Sequence, residues 1–210
     1  MSKTAIIYSF NTKKTGKIAE RIKEAFGDDQ VEMVNAEDIT EEKFLSFEQI
    51  IMGVPTWFDG ELPNYWDEFV PALEEMDLSG KKIALFGLGD QKGYPENFLD
   101  GVGIMAGILE EQGATLIGFT STEGYEFEHS LACRGEQFTG LAIDYENQGY
   151  ASSRKELSER WRKQLKYATI ATYDSKRNVS GPDGEVPMSP EEAEQAAREK
   201  AFSNFQVTSE

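Results

Sequence analysis

The chain has 210 residues, 39% hydrophobic and 28% charged, enough to bury a core in one domain with an appendage. Its formal charge of −17, from 21 basic and 38 acidic residues, argues against nucleic acid or an anionic membrane as partner and favours basic proteins instead. A lone cysteine, Cys133, and a lone histidine, His129, exclude an internal disulfide and make a Cys- or His-based metal site untenable, so no metal is expected. No run of 18 apolar residues occurs and the start, MSKTAIIYSF, lacks a cleavable signal, so a cytoplasmic location is expected.

Lys3 to Tyr8 (KTAIIY) reads as a buried first strand. It feeds Ser9-Phe10-Asn11-Thr12-Lys13-Lys14-Thr15-Gly16, after which Ile18, Ala19, Ile22, Ala25 and Phe26 recur with a helical period over residues 17–26. A hydroxyl-rich, basic turn opening a helix suits an anion, because free N–H groups and the helix dipole both point at it. Plain N-capping by Thr12 or Thr15 explains the same residues equally well. The G-x-x-x-x-G-K-[ST] spacing of a nucleoside-triphosphate loop is absent.

Val31 to Asn35 is a second strand and Gln49 to Val54 a third, which opens into Pro55-Thr56-Trp57-Phe58-Asp59-Gly60. Two aromatics in a Pro- and Gly-bounded loop gain little unless something covers them, which makes Trp57 a candidate to stack on a flat ligand. A tryptophan folded over a core edge is the alternative. Tyr65 to Leu73 is predicted helical, with Trp66, Phe69, Val70 and Leu73 on one face. The fourth strand, Ile83 to Phe86, empties into a loop with glycines at 87, 89 and 93, and Tyr94 offers a ring face at its tip. Glycine lets backbone N–H and C=O groups approach a flat ligand closely.

A helix over 102–112 follows, then Ala114 to Phe119 begins a fifth strand that resumes only at Gly140-Leu141-Ala142-Ile143-Asp144, as if interrupted by an inserted loop. Ser152 to Tyr167 is expected to close the domain as a helix carrying Leu157, Trp161 and Leu165, with Ala168 just beyond it. The alternation of strand and helix predicts an α/β fold, a parallel sheet wrapped on both faces, with ligand outside the carboxyl ends of the strands. Residues 174–187 read as a linker, and Ser189-Pro190-Glu191-Glu192 as the start of a short helix over 193–202.

The hydroxyl-rich turn, the P-T-W loop, the segment G-x-G-D-Q-x-G-Y-x-x-N-F and the split fifth strand together resemble the long-chain flavodoxins, over about residues 3–168. The resemblance implies a flavodoxin-like doubly wound five-stranded sheet, order 2-1-3-4-5, with FMN at the β1/β3 switch point; that placement comes with the family and is not read from the residues. It implies that Trp57 and Tyr94 sandwich the isoalloxazine and that backbone at Leu88, Gly89 and Asp90 bonds its pyrimidine edge. Ser9, Asn11, Thr12, Lys14 and Thr15 would hold the phosphate with Thr56 nearby. Pro55, Phe58, Asp59 and Gly60 complete the tryptophan loop, Asn97, Phe98, Leu99 and Asp100 lie beside the flavin, and Glu146 supplies an acid to the ribityl chain. Where the family's phosphate turn has T-x-T-G-x-T, this chain has Phe10 for the first threonine and Lys13 for the glycine. The backbone at Lys13 is therefore expected either to adopt a conformation open to a non-glycine residue or to bear strain, and in a relaxed turn its ammonium is expected to approach the phosphate.

The function implied is a low-potential one-electron carrier rather than an enzyme with catalytic residues, the protein tuning the flavin by what surrounds it. In the 57–60 turn, Asp59 is expected to tolerate the left-handed backbone that a peptide flip beside the ring requires. Expected partners are basic-surfaced redox proteins, a ferredoxin/flavodoxin reductase and an acceptor enzyme, met by a monomer. The rival readings are an FMN-dependent quinone reductase of the same fold and a binding module without flavin. Two domains are expected, 1–168 binding FMN and a 169–210 extension.

Overall fold

In the computed structural model, residues 4–26 and 31–147 are described. The expected helix over 152–167, the linker and the short helix near 193–202 lie outside those residues, as does the expected domain boundary at 168. The apolar runs form strands because both of their faces are covered: all five residues of Gln49–Gly53 are buried, as are six of the eight in Lys82–Gly89.

β1 (Thr4–Tyr8) leads to α1 (Lys13–Phe26), β2 (Val31–Asn35), a 3-10 turn over Ala36–Asp38 and α2 (Glu41–Leu45). β3 (Gln49–Gly53) is followed by two short helices, α3 (Asn64–Asp67) and α4 (Val70–Glu74), and then by β4 (Lys82–Gly89). After a 3-10 turn at Pro95–Asn97 come α5 (Asp100–Glu111), β5 (Thr115–Ile117), the short strands β6 (Thr120–Ser121), β7 (Cys133–Arg134) and β8 (Gln137–Phe138), and β9 (Leu141–Asp144). None of the described helices is long and apolar enough to cross a membrane.

The parallel sheet runs β2-β1-β3-β4-β5, the expected order. The fifth strand is split as expected: β5 pairs with the first half of β4 (Ile83 opposite Leu116) and β9 with the second half (Gly87 opposite Ala142). The segment between them is not a plain loop but carries β6, β8 and β7 in a small antiparallel sheet. The helix expected over 65–73 is broken in two. Pro71 has no N–H to donate to Asp67 and its ring crowds that carbonyl, so the chain restarts at Val70 with proline in the first turn of α4.

Alternation along the strands sorts the core into two faces. Ala5, Ile7, Ile50, Met52, Ile83 and Leu85 pack with Trp66, Leu73, Val102, Met105 and Leu109. Their neighbours Ile6, Ile51, Ala84 and Phe86 are equally buried and point the other way. On that side α1 approaches β3 so closely that a Cβ on Gly53 would lie 2.6 Å from Phe86 and 2.9 Å from Thr15, so only glycine fits. The register sets Ile7 beside Met52 and Met52 beside Leu85, so the turns after β1, β3 and β4 leave one edge of the sheet side by side.

Candidate functional site

The turn after β1 begins at buried Ser9 and ends at the head of α1, a 14-residue helix. The N–H groups of Lys13, Lys14 and Thr15 have no acceptor inside the helix, as at any helix start, and none of the described hydrogen bonds uses them. Thr15 is 2% exposed, and its hydroxyl is likewise unused among the described bonds. The Thr12 hydroxyl and N–H both reach the Ser9 carbonyl, at 2.6 and 3.1 Å, and the Asn11 N–H donates to the Ser9 hydroxyl at 3.2 Å. Lys13 opens α1 with an ordinary helical backbone, since the described non-glycine residues with positive φ are Phe58 and Leu99. Of the two courses expected at Lys13, the backbone takes the unstrained non-glycine conformation, and the side chain is exposed.

The neighbouring turn after β2 reaches into this one, which sequence reasoning missed. Asn35 accepts from the Phe10 N–H at 3.1 Å, and Glu37 accepts from both the Ser9 hydroxyl and the Asn11 amide, the latter at 2.8 Å. The available signal was the strand order, which puts Tyr8 opposite Asn35 and so brings the two turns together. Lys14 pairs with Glu146, and its ammonium lies 5.1 Å from the Tyr145 ring centre. Two side chains assigned to different parts of the cofactor thus hold each other across the site.

The loop after β3 reverses at Trp57, whose carbonyl accepts from the N–H groups of Gly60 (3.2 Å) and Glu61 (2.8 Å). The left-handed residues are Phe58, at φ 43°, and Gly60, at φ 102°: the chain turns back immediately after Trp57, which puts a positive φ on the first turn residue. A Cβ on Gly60 would meet Asn97 at 2.8 Å and Asp100 at 2.9 Å. Trp57 is half-buried, edge-on to Tyr65 at 6.0 Å, while Phe58 is 73% exposed. Pro55 is buried, and the Thr56 hydroxyl accepts from the Gly101 N–H at 3.1 Å, which ties it to the start of α5.

The loop after β4 is fixed by a carboxylate and amide network. Asp90 accepts from the N–H groups of Gly93 (2.9 Å) and Lys92 (3.2 Å) and from the Asn147 amide (2.7 Å). These donors, the Gly93 N–H foremost and Asn147 next, hold the Asp90 carboxyl below its ordinary value. Asn147 also donates to Asp144 at 3.0 Å, and buried Asp144 accepts from Gln91 at 2.5 Å. Gln91, Asp144 and Asn147 were not among the expected site residues, and nothing in their local sequence marks a pairing across more than fifty positions. The Leu88 carbonyl accepts from the Thr56 N–H at 3.4 Å and Gly89 pairs with β9, so part of that backbone is already engaged.

Tyr94 is 58% exposed at the tip. Asn97 reaches across to the Asp59 carbonyl at 2.8 Å, joining this loop to the tryptophan loop. Phe98, Leu99 and Asp100 are buried: Phe98 stacks on Phe127 at 5.6 Å, Leu99 starts α5 with a left-handed backbone, and Asp100 accepts from the Leu131 N–H at 2.7 Å. Their side chains are committed to the interior. Any ligand contact there falls to the backbone.

The flavodoxin family model matches residues 6–156, which hold all three loops and every strand but the first residues of β1. The chain belongs to the flavodoxin family. A flavodoxin of Trichodesmium erythraeum is 44% identical over 170 residues, covering 79% of this chain and 97% of that one. Flavodoxin 1 of Escherichia coli strain K12 is 38% identical over 166 residues, covering 79% and 93%. Among solved structures, the Fusobacterium nucleatum flavodoxin bound to flavin mononucleotide superposes with a TM-score of 0.74 at 31% identity, covering 80% of this chain and 99% of that one. The K13G mutant of that protein, also bound to flavin mononucleotide, superposes equally well. A further model, the tail specific protease N-terminal domain, matches residues 133–210; it spans well under half of the chain, and its described part forms β7 to β9 of the flavodoxin domain. Flavodoxins are electron-transfer carriers, and the split fifth strand, the three loops and the strand order all take their expected places in this one.

Proposed function

We propose that this flavodoxin, of the long-chain kind by its split fifth strand, binds FMN non-covalently and passes single electrons between a reductase and acceptor enzymes. The observation that carries the reading is the convergence of three turns at one sheet edge: a 14-residue helix with free N–H groups at its head, and two loops that present Trp57 and Tyr94.

The residues fit the cofactor. A phosphate suits the N–H groups of Lys13, Lys14 and Thr15 and the unengaged hydroxyl of Thr15, donors that no described protein group satisfies. Bound there, the flavin supplies the redox chemistry, and the protein supplies orientation and electrostatics. Trp57 is held for stacking by Tyr65 behind it, and Asp90 stays ionised beside the ring because three donors stabilise its charge. A fixed negative charge there disfavours placing another on the ring, which supports a low potential. Under the same proposal Glu146 turns from Lys14 toward the ribityl chain, residues 1–168 form the flavin domain, and 169–210 are an extension. Coverage of 79% of this chain by relatives matched almost whole supports that division. The carrier works as a monomer in the cytoplasm with basic-surfaced partners, supported by its charge of −17.

Absorbance of the purified protein and its stepwise anaerobic reduction test the reading. A stoichiometric flavin spectrum released as FMN on denaturation is expected; a colourless protein that binds no FMN would overturn it, and steady turnover of a quinone would mark an enzyme instead. Trp57→Ala and Tyr94→Ala should each weaken FMN by roughly 1–3 kcal/mol, the worth of an aromatic stacked on a nucleobase-sized ring. Unchanged affinity in both variants would show that the rings do not stack.

A further inference from the structure

The donors of the phosphate turn fall into two groups. Those at the head of α1 are free among the described bonds, but two of the side-chain donors, the Ser9 hydroxyl and the Asn11 amide, are turned to one carboxylate. That carboxylate is Glu37, on the 3-10 turn that follows β2. Its placement is not incidental. Asn35 caps the 3-10 turn by accepting from the Glu37 N–H at 3.4 Å, and the same Asn35 oxygen accepts from the Phe10 N–H at 3.1 Å. One amide therefore clamps the two turns together, and Glu37 is carried against residues 9–11 by the backbone rather than by a flexible reach.

We propose that Glu37 occupies two donors of the phosphate turn as an internal anion, and so sets how strongly this chain prefers phosphorylated over unphosphorylated flavin. The inference rests on the FMN reading above. A phosphate arriving at the turn meets Ser9 and Asn11 already engaged by a carboxylate, and either leaves them there, accepting fewer bonds beside a like charge, or displaces Glu37 into water. Either course lowers the net gain from the phosphate while leaving the ring's contacts untouched. Phe10 brings no hydroxyl to the same turn, and the engagement of Ser9 and Asn11 takes two of the donors that it does have. Lys13 and the N–H groups at the head of α1 then carry most of the attraction.

The test is titration of the apoprotein, by quenching of flavin fluorescence, with FMN and separately with riboflavin, in the wild type, Glu37→Gln and Glu37→Ala. Expected is FMN binding tighter by about tenfold in Glu37→Ala, the worth of roughly one charge-assisted hydrogen bond regained, with riboflavin unchanged. Glu37→Gln should shift the same way, because it removes the like charge while keeping the shape of the turn. A phosphorus NMR shift of bound FMN that moves in both variants would report the new contacts directly. An unchanged ratio of FMN to riboflavin affinity, or a ratio that falls, would overturn the proposal and show Glu37 to be scaffolding that presents the donors. If the wild type binds neither flavin, the FMN reading itself has failed; a wild type that binds both, with variants whose ratio does not rise, sinks only the role of Glu37.

Discussion

Tyr65 buries a hydroxyl that has no hydrogen-bond partner among the described residues, while its ring stands edge-on to Trp57 and packs on Trp66 at 5.8 Å. Burial first, and the charge of Glu37 second, push its pKa well above the ordinary 10, so the group stays neutral at any working pH. An unsatisfied buried hydroxyl costs stability, whereas the ring contributes it. Tyr65→Phe should therefore leave the fold as stable or more stable, by about 1 kcal/mol, with FMN affinity preserved. Tyr65→Ala should lose about 3 kcal/mol and weaken FMN by freeing Trp57. Urea denaturation and flavin titration check both; a Tyr65→Phe protein that loses stability would show that the hydroxyl has a partner after all. At this scale the sequence revealed what single residues advertise. Trp57 and Tyr94 stand out because an aromatic in a Gly- and Pro-bounded loop wants cover. Tyr65 and Glu37 do not stand out, because their roles come from neighbours 8 to 28 positions away that only the folded chain supplies.

Among the elements, the strands were legible because burial on both faces writes them as unbroken apolar runs, while the pieces that failed to show are too short to have a period. α2 holds only five residues, set by Thr40 accepting from the Lys43 N–H at 3.2 Å, and β6, β7 and β8 have two residues each. The loop ties were hidden for a different reason: Asp90, Gln91, Asp144 and Asn147 join the ends of β4 and β9, which only the parallel pairing of those strands brings together. That network carries a pH dependence with a definite sign. The folded Asp90 carboxyl is depressed below its ordinary 3.8, so its contribution is fully present above the ordinary value and is lost as pH falls through the depressed one. In the apoprotein, the melting temperature of the wild type should exceed that of Asp90→Asn near neutrality, and the gap should narrow between about pH 5 and about pH 2. Asn147→Ala should narrow it too, by removing the second of the donors that stabilise the charge. A gap constant over that range would mean that Asp90 titrates alike in the folded and unfolded chain.

For the whole molecule, charge is unevenly spread. The ten acidic side chains after residue 147 are balanced by ten basic ones, so the entire −17 belongs to residues 1–147, and five of the eleven basic residues there lie in α1. Positive charge is thus gathered on the helix whose head faces the proposed phosphate, and the rest of the flavin domain is left acidic. A basic reductase approaching such a surface is drawn in from beyond contact distance, with a reach set by the Debye length, about 30 Å at 0.01 M salt and about 8 Å at 0.15 M. The second-order rate of reduction by a basic partner should therefore fall by about tenfold or more over that interval, while reduction by a small neutral reductant should hardly change. Stopped-flow mixing measures both. Should the rate pass through a maximum, low salt is trapping misoriented encounters, and steering still operates on the falling limb. Rates flat in salt would put the burden of docking on apolar contact, for which Phe58 and Tyr94, 73% and 58% exposed on neighbouring loops, are the side chains at hand. Phe58→Ser would then slow reduction at every ionic strength, whereas under steering it hardly changes the rate and leaves the slope against salt intact.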